Sequence, residues 1–403
     1  MEKYNVETMK KRAMIISGVI IAILIVIKIV WVYTFTKDNG TFEDEKKDIL
    51  ERRNYLVEKV VTSPYRLLDE MPSGIGEQFQ GEWALYSCSM LTAALVNIAE
   101  LYPETEEDAL QQIDELIYIA SSYEMRQYDR MRWGEDPLET LNGDESHISY
   151  LSHLAWMISG YKQIGGDDKY DTLYKSLCGT MNRRILQSPT LNLPTYPDEC
   201  IYVPDMLVAI VALANYSRQN NGEYSSTVEK WVQKAKSDWI DEETGMLESF
   251  LPLDSSEADW QFSVKGSYSA LNCYYLTMVD SVFAKEQYAK LKENFLQEVL
   301  MTGFKEYSDW FFPLGLDIDA GPIIFNLSPS GTAFAVGSAT YFEDTKVRNG
   351  LLKTAEIFGT TISWHKGRHY WLANLAIVGE AIMLAMRTNT PGTLMEPPLA
   401  SLR

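Results

Sequence analysis

The chain has 403 residues, enough for one large hydrophobic core or two small ones, and 46% of them are hydrophobic and 12% aromatic, including 24 Tyr and 10 Trp. The formal net charge is −20, although residues 1–37 are basic: Lys3, Lys10, Lys11, Arg12, Lys28 and Lys37 stand there against Glu2 and Glu7. The strongly acidic remainder, with no long basic run, excludes nucleic acid as a partner, because neutralising phosphates needs clustered Lys and Arg.

The first element is "AMIISGVIIAILIVIKIVWVYTF", residues 13–35, apolar throughout except for Lys28. A helix of this length, at ~1.5 Å per residue, spans a hydrocarbon core of ~30 Å. Lys28 can snorkel to one interface, and Trp31 and Tyr33 suit the headgroup region. A cleaved signal peptide shares the basic start, but no small-x-small site follows the apolar run. Lys10, Lys11 and Arg12 precede the span, and Asp38, Glu43, Asp44 and Glu45 follow it. The expected layout is therefore a cytoplasmic tail (1–12), a bilayer anchor (13–35), a linker (36–42), an extracytoplasmic domain (43–390) in the periplasm or at the cell surface, and a tail (391–403).

Past the anchor the pattern is helical and alternates. Segments 79–100, 147–164, 202–217, 265–279, 330–342 and 371–387 are apolar or small-residue with little polar face, as buried helices are. Between them, 106–124, 168–187, 223–238, 283–299 and 345–358 have one apolar and one charged face. The charged segment 43–61 lacks a predecessor and 371–387 lacks a successor, so the two ends can pair. Six inner and six outer helices predict an all-α domain, an (α/α)6 toroid of six helical hairpins preceded by one transmembrane helix. A superhelical solenoid, the competing architecture, would repeat at a tighter period.

In such a ring the loops leading into the inner helices meet at one end. These loops are the unusual ones: "WGEDPLETLNGDES" (133–146), "LPTYPDECIYVPD" (193–205), 251–267, 304–322 and "WHKGRHYW" (364–371). They concentrate acids and aromatics. Carboxyl pairs do acid/base work when their surroundings split their pKa values; Glu82 before Trp83, Asp198, Glu199, Asp205, Asp317 and Asp319 are the candidates. Asp205 after Pro204 is also what a helix N-terminus favours, and Asp319 before Gly321 is also what an Asx turn uses. A calcium ion held by Asp317 and Asp319 is the one metal alternative, and no other cofactor is implied.

His153 falls on the inner face of a buried helix, as a satisfied core residue or as a proton carrier facing the lumen. His365 and His369 have i,i+4 spacing, but Gly367 interrupts them and no third ligand stands near, so His369 is assigned to substrate binding. Cys88, Cys178, Cys200 and Cys273 are scattered without metal-ligand spacing, and a domain of this size needs no disulfide framework. No Gly-x-Ser-x-Gly or phosphate loop is present.

The stretches "WGEDPLETLNGDESHISYLSHLAWMISGYKQIGGDDKYD" (133–171) and "YPDECIYVPDMLVAIVAL" (196–213), with "WVQKAKSDWIDEETGMLESFL" and "VKGSYSALNCYYLTMVDSVF" following in order, resemble the linalool dehydratase/isomerase-like family over roughly residues 77–385. That resemblance implies an (α/α)6 barrel enclosing its site, with Tyr86, His153, Tyr202 and Tyr268 facing the lumen. The family's chemistry involves a cysteine pair near the third inner helix; here Asp205 takes the nearer position, Leu193–Thr195 offers no thiol, and Cys200 sits in another register. A carboxylate in place of a thiol makes the site resemble six-hairpin glycosidases and sugar epimerases by analogy. The expected function is an enzyme acting on a hydroxyl-rich substrate, a glycan or glycoside. Asp205, with Asp317 or Asp319, would be the acid/base pair, and His153 and the tyrosines would position hydroxyls. Glu82 and the stacking faces of Trp83, Trp133, Trp260 and Trp310 would bind substrate. The alternatives are a lyase or isomerase of small alcohols, and a non-catalytic glycan-binding surface domain.

Overall fold

The computed structural model describes residues 2–38, 40–62, 67–68, 77–253, 264–309, 311, 314–317, 319–365 and 367–392. Trp260, Trp310 and most of the 251–267 loop lie outside these residues. The described chain is overwhelmingly helical, and its strands are short, in four two-stranded antiparallel ladders.

Helix α1 (Glu2–Phe35) and helix α2 (Phe42–Leu56) come first. A capping box starts α2, in which the Asp44 amide donates to Thr41 Oγ1 and the Thr41 amide donates back to Asp44 Oδ2. Then follow α3 (Glu77–Leu101), α4 (Glu106–Ala120), α5 (Tyr123–Trp133), α6 (Ile148–Gln163) and α7 (Asp171–Gln187). After β1 (Ile201–Tyr202) come α8 (Val203–Gln219) and α9 (Ser225–Asp238); after β2 (Phe250–Leu251) come α10 (Gly266–Thr277) and α11 (Ser281–Phe295). Strands β3 (Leu296–Gln297), β4 (Gly303–Phe304), β5 (Leu314–Asp317) and β6 (Gly321–Ile324) lead to α12 (Pro329–Tyr341) and α13 (Thr345–Gly359). Strands β7 (Thr361–Trp364) and β8 (Gly367–Tyr370) form the last hairpin, ahead of α14 (Ile377–Arg387).

The apolar helices pack in succession: α3 on α6, α6 on α8, α8 on α10, α10 on α12, α12 on α14, and α14 back on α3. The amphipathic helices lie against them, α4 on α3 and α6, α7 on α6 and α8, α9 on α8, α11 on α10, α13 on α12, and α2 on α14 and α3. Small residues allow the closest approaches. A Cβ on Gly337 of α12 would stand 2.5 Å from Met386 Sδ of α14, so a larger side chain there would force the two helices apart. Helix α5 was not foreseen; it packs on α3 and ends at Gly134, whose φ of 79° stops it in the left-handed conformation.

The ends of the chain are joined by buried charge. Glu45 on α2 receives both Arg348 of α13 (2.6 and 3.0 Å) and Arg387 of α14 (2.8 Å). Asp48 receives Arg387 (2.5 Å), Arg368 of β8 (2.9 Å) and Arg52 (3.0 Å). Arg52 in turn donates to Glu380 at 2.7 Å, and the second oxygen of Glu380 accepts the Tyr370 amide at 2.8 Å. Burial alone would raise the Glu45 and Asp48 pKa values, but the surrounding guanidiniums overcome it and hold both low.

Helix α1 touches the rest of the protein through its last turns. Val32, fully buried, packs with Met301, Leu327 and Ile357, and Lys28 pairs with Glu356 at 3.7 Å.

Removing one member of the charge cluster leaves buried partners uncompensated. Arg387→Met is expected to destabilise the protein by about 3–5 kcal/mol, measured by urea unfolding; a loss under 1 kcal/mol would show the cluster to be solvated in solution.

Candidate functional site

A cavity of about 1940 Å³ opens among α3, α8, α10, α12, α13 and α14. Its walls divide by chemistry. The polar end is formed by α3, the 195–205 segment, the start of α10 and the loop at Asp319; the apolar end is formed by α12, α13 and α14.

Glu82, Trp83 and Tyr86 stand on the first turns of α3, with Glu82 and Tyr86 one turn apart and so on one face. Opposite, Pro204 opens α8 and places Asp205 in its first turn. The Thr195 hydroxyl donates to Asp205 Oδ2 at 2.7 Å. Burial pushes Asp205 up to about 6, with the Thr195 hydrogen bond opposing the rise. Burial pushes Glu82 further, to about 8, and the nearby Asp205 charge adds to it. Of the two, Glu82 is the one held more strongly in its protonated form and Asp205 the one that ionises first.

Around them Tyr202, Phe250 and Tyr268 form an edge-to-face cluster with ring centroids 5.1–6.1 Å apart. The pairing of β1 with β2 sets Tyr202 opposite Phe250. Tyr268 donates to Asp319 Oδ1 at 2.8 Å, and Lys265 Nζ bridges Asp319 (2.7 Å) and Asp317 (3.1 Å). Tyr86 shares a 3.0 Å hydrogen bond with Tyr275. Arg132 lies over the Tyr196 ring at 4.1 Å and pairs with Glu199 at 2.8 Å.

The structure thus brings Glu82, Trp83, Tyr86, Tyr202, Asp205, Tyr268 and Asp319 to one cavity. Asp317 is not on its wall. Its Oδ1 accepts the amides of Asp319 (2.9 Å) and Ala320 (3.0 Å), and Tyr307 donates to Oδ2 (2.8 Å), so it closes the turn between β5 and β6. Burial would raise the Asp317 pKa, but the Ala320 amide, Tyr307 and Lys265 outweigh it and lower it. The Lys265 ammonium sits between the two carboxylates where the calcium alternative put its ion, and among the described residues no group of three or more His, Cys, Asp or Glu is arranged so that it could hold a metal ion.

His153 stands behind Tyr86, with ring centroids 4.6 Å apart and Nδ1 at 2.9 Å from Ser89 Oγ. Burial lowers it to about 3, which keeps it neutral at pH 7. Trp133 packs on His147, and His369 stacks on Tyr55 at 3.7 Å; neither lines the cavity. Tyr196, Thr195, Arg132 and Lys265 are wall residues not singled out from the sequence. The "TYPDE" run was the available signal for the first two, since a loop feeding a buried helix there had to face the same opening. Cys200 also lines the cavity, its thiol pushed up to about 11 by burial and so protonated.

A carboxyl whose folded pKa exceeds its unfolded one stabilises the fold fully at low pH and loses that contribution as pH rises through the folded value. For Glu82 the window runs from 4.5 to about 8. Glu82→Gln is therefore expected to melt higher than the wild type at pH 8.5, with the gap closing towards pH 5, as followed by thermal denaturation across pH.

No family model matches this chain, and comparison with curated proteins finds no match.

Proposed function

We propose that the protein is a membrane-anchored, extracytoplasmic (α/α)6-toroid enzyme that acts on a hydroxyl-rich substrate, a glycan or glycoside, by carboxylate acid/base chemistry. The observation that carries this reading is the pair of half-buried carboxyls on one cavity wall, Glu82 at about 8 and Asp205 at about 6. Glu82 delivers a proton to the leaving oxygen as its bond to carbon breaks, and Asp205 takes one from the attacking water or hydroxyl as the new bond forms. Tyr202, Tyr268 and Trp83 present the amphipathic ring faces and hydroxyls that sugars engage. The succession of inner helices, each backed by an outer one, supports the toroid. The anchor rests on α1, an unbroken helix with outward residues such as Leu24 (59% exposed) and Val30 (60%). Among the described residues the one helix long and apolar enough to cross a membrane is Phe79–Leu101, which is largely buried in the fold and belongs to the cavity wall, while Ile23–Phe35 of α1 is a shorter apolar stretch.

The resemblance to linalool dehydratase/isomerase-like proteins keeps a second reading, dehydration or isomerisation of an alcohol. The apolar half of the cavity favours it. Volume counts the other way: about 1940 Å³ exceeds the ~300–1,000 Å³ usual for small-molecule sites, far more than a small alcohol needs.

The test is turnover of a panel of glycosides and terpene alcohols by the full-length protein. Glycoside turnover is expected to follow a bell-shaped pH profile between about 6 and about 8. Asp205→Asn and Glu82→Gln should each lower kcat by about 10²–10⁴, and Glu82→Gln should remove the alkaline limb. Turnover confined to terpene alcohols would replace this reading with the second, and glycoside turnover indifferent to both variants would remove these carboxyls from the mechanism.

The anchor predicts that the full chain sediments with membranes and that deleting residues 1–37 releases it to the soluble fraction, as read by fractionation and immunoblotting.

A further inference from the structure

Towards α12, α13 and α14 the cavity wall is mostly apolar, with Ser330, Thr332, Thr354 and Glu380 its polar side chains. Phe334 and Val336 of α12, Leu351, Ala355 and Phe358 of α13, and Val378 and Ile382 of α14 form its walls. Helix α13 turns two faces to two different neighbours. Leu351, Ala355 and Phe358, at helical spacing, face the cavity, while Glu356 and Ile357 meet α1 through Lys28 and Val32. Leu327 and Phe358 belong to both surroundings at once: they line the cavity and pack in the cluster that holds Ile29 and Val32 of α1. The dry end of the cavity thus lies one side chain away from the apolar N-terminal helix.

The β5–β6 hairpin, whose turn carries Asp319 at the polar end, also brings apolar side chains to the rim. Pairing of β5 with β6 sets Leu314 opposite Ile324 and Leu316 opposite Pro322, so all four share one face of the hairpin. Ile324 and Pro322 line the cavity, while Leu314 (76%) and Leu316 (79%) are exposed. Across the opening, Leu375 lines the cavity and is itself 58% exposed, next to exposed Leu372 and Trp371. Leucines left in water at a cavity mouth beside an apolar helix carry a cost that contact with hydrocarbon removes.

We infer that the substrate is an amphiphile: a long hydrocarbon chain occupies the cavity between α12, α13 and α14, entering beside α1, and its hydroxylated head lies against Glu82 and Asp205. This rests on the acid/base reading for the head and adds the chain. The chain's chemistry, aliphatic and unbranched or isoprenoid, is the same to walls made of Leu, Phe, Val and Ile.

The test uses the full-length protein in lipid nanodiscs and measures Kd for methyl, octyl, dodecyl and farnesyl glucosides by intrinsic fluorescence, since Trp83 is on the wall. Each buried methylene tightens binding about fourfold, so dodecyl glucoside is expected to bind at least about 100-fold tighter than methyl glucoside. Gly379→Leu on α14 fills the cavity, because a Cβ there meets nothing within 4 Å; Ala355→Phe fills it from α13. Both should reduce the ratio of the two constants by about tenfold or more. The tighter of the dodecyl and farnesyl ligands identifies the chain as acyl-like or isoprenoid. No binding, a ratio near one, or a ratio unchanged in both variants, as partition into the disc alone would give, overturns the inference. Turnover of methyl glucoside measured alongside separates the two claims. Turnover that depends on Asp205 but not on chain length overturns the chain site alone, whereas chain-length dependence without turnover of any glucoside supports the chain site and overturns the acid/base reading.

Discussion

The structure depends on a cluster of buried ions that ties the two ends of the chain together. Helix α2 carries 15 residues of low hydrophobicity, with acids in its first turn, and it could not hold its place by apolar burial alone. Glu45, Asp48 and Arg52 fix it against Arg348, Arg387, Arg368 and Glu380, which come from three later elements. Every carboxylate in the set has at least two charged or amide donors, which is the condition under which buried charge can be tolerated. The arrangement specifies one register: sliding α2 by a turn would strand the buried charges of Arg348, Arg387 and Glu380. Glu380 and Tyr370 also line the cavity, so the latch and the site share a wall.

The site follows from how the space among these packed helices is filled. Where the helices begin, loops bring in polar groups; where α12, α13 and α14 run side by side, the side chains are mostly aliphatic and aromatic. A carboxyl placed on the boundary between the two loses solvent on one side. That loss sets the order of the two acids. Asp205 keeps a hydroxyl donor and rises modestly, whereas Glu82 must also bear the neighbouring Asp205 charge and rises to about 8. Asp319, held by Lys265 and Tyr268, completes the polar rim, while Asp317 serves the turn.

Much of the helical pattern was legible because inner and outer helices differ in how many of their faces are apolar. The expected 147–164 is Ile148–Gln163, and the expected 345–358 is Thr345–Gly359. Helix α5 escaped because "YEMRQYDRMRW" has no apolar stripe; it is held by tertiary contact, with Tyr128 pressed on Gly81 of α3, and only Ser122 and Gly134 announce its ends. Among site residues, the aromatics and acids next to helix starts could be read, since a loop that feeds a buried helix must face the opening. His369, Trp133 and Asp317 could not be separated from them, because composition says that a loop is polar and not which of its side chains turns inward. The apolar end was hidden for another reason. Helix α13 reads as an ordinary amphipathic helix, and nothing in its periodicity tells that one of its faces borders empty space instead of a neighbour.

The latch also has a consequence for how the chain is made. Glu45 and Arg387 are 342 positions apart, so the contact that fixes α2 cannot form until Arg387 has emerged. At about 5–20 residues per second the ribosome needs tens of seconds to supply that partner. For that interval α2 carries three charges intended for a dry interface, and they remain in water, where they are stable and keep the nascent segment soluble. Sequestering them waits on the synthesis of α14, so the docking of α2 is a late event although α2 is made early.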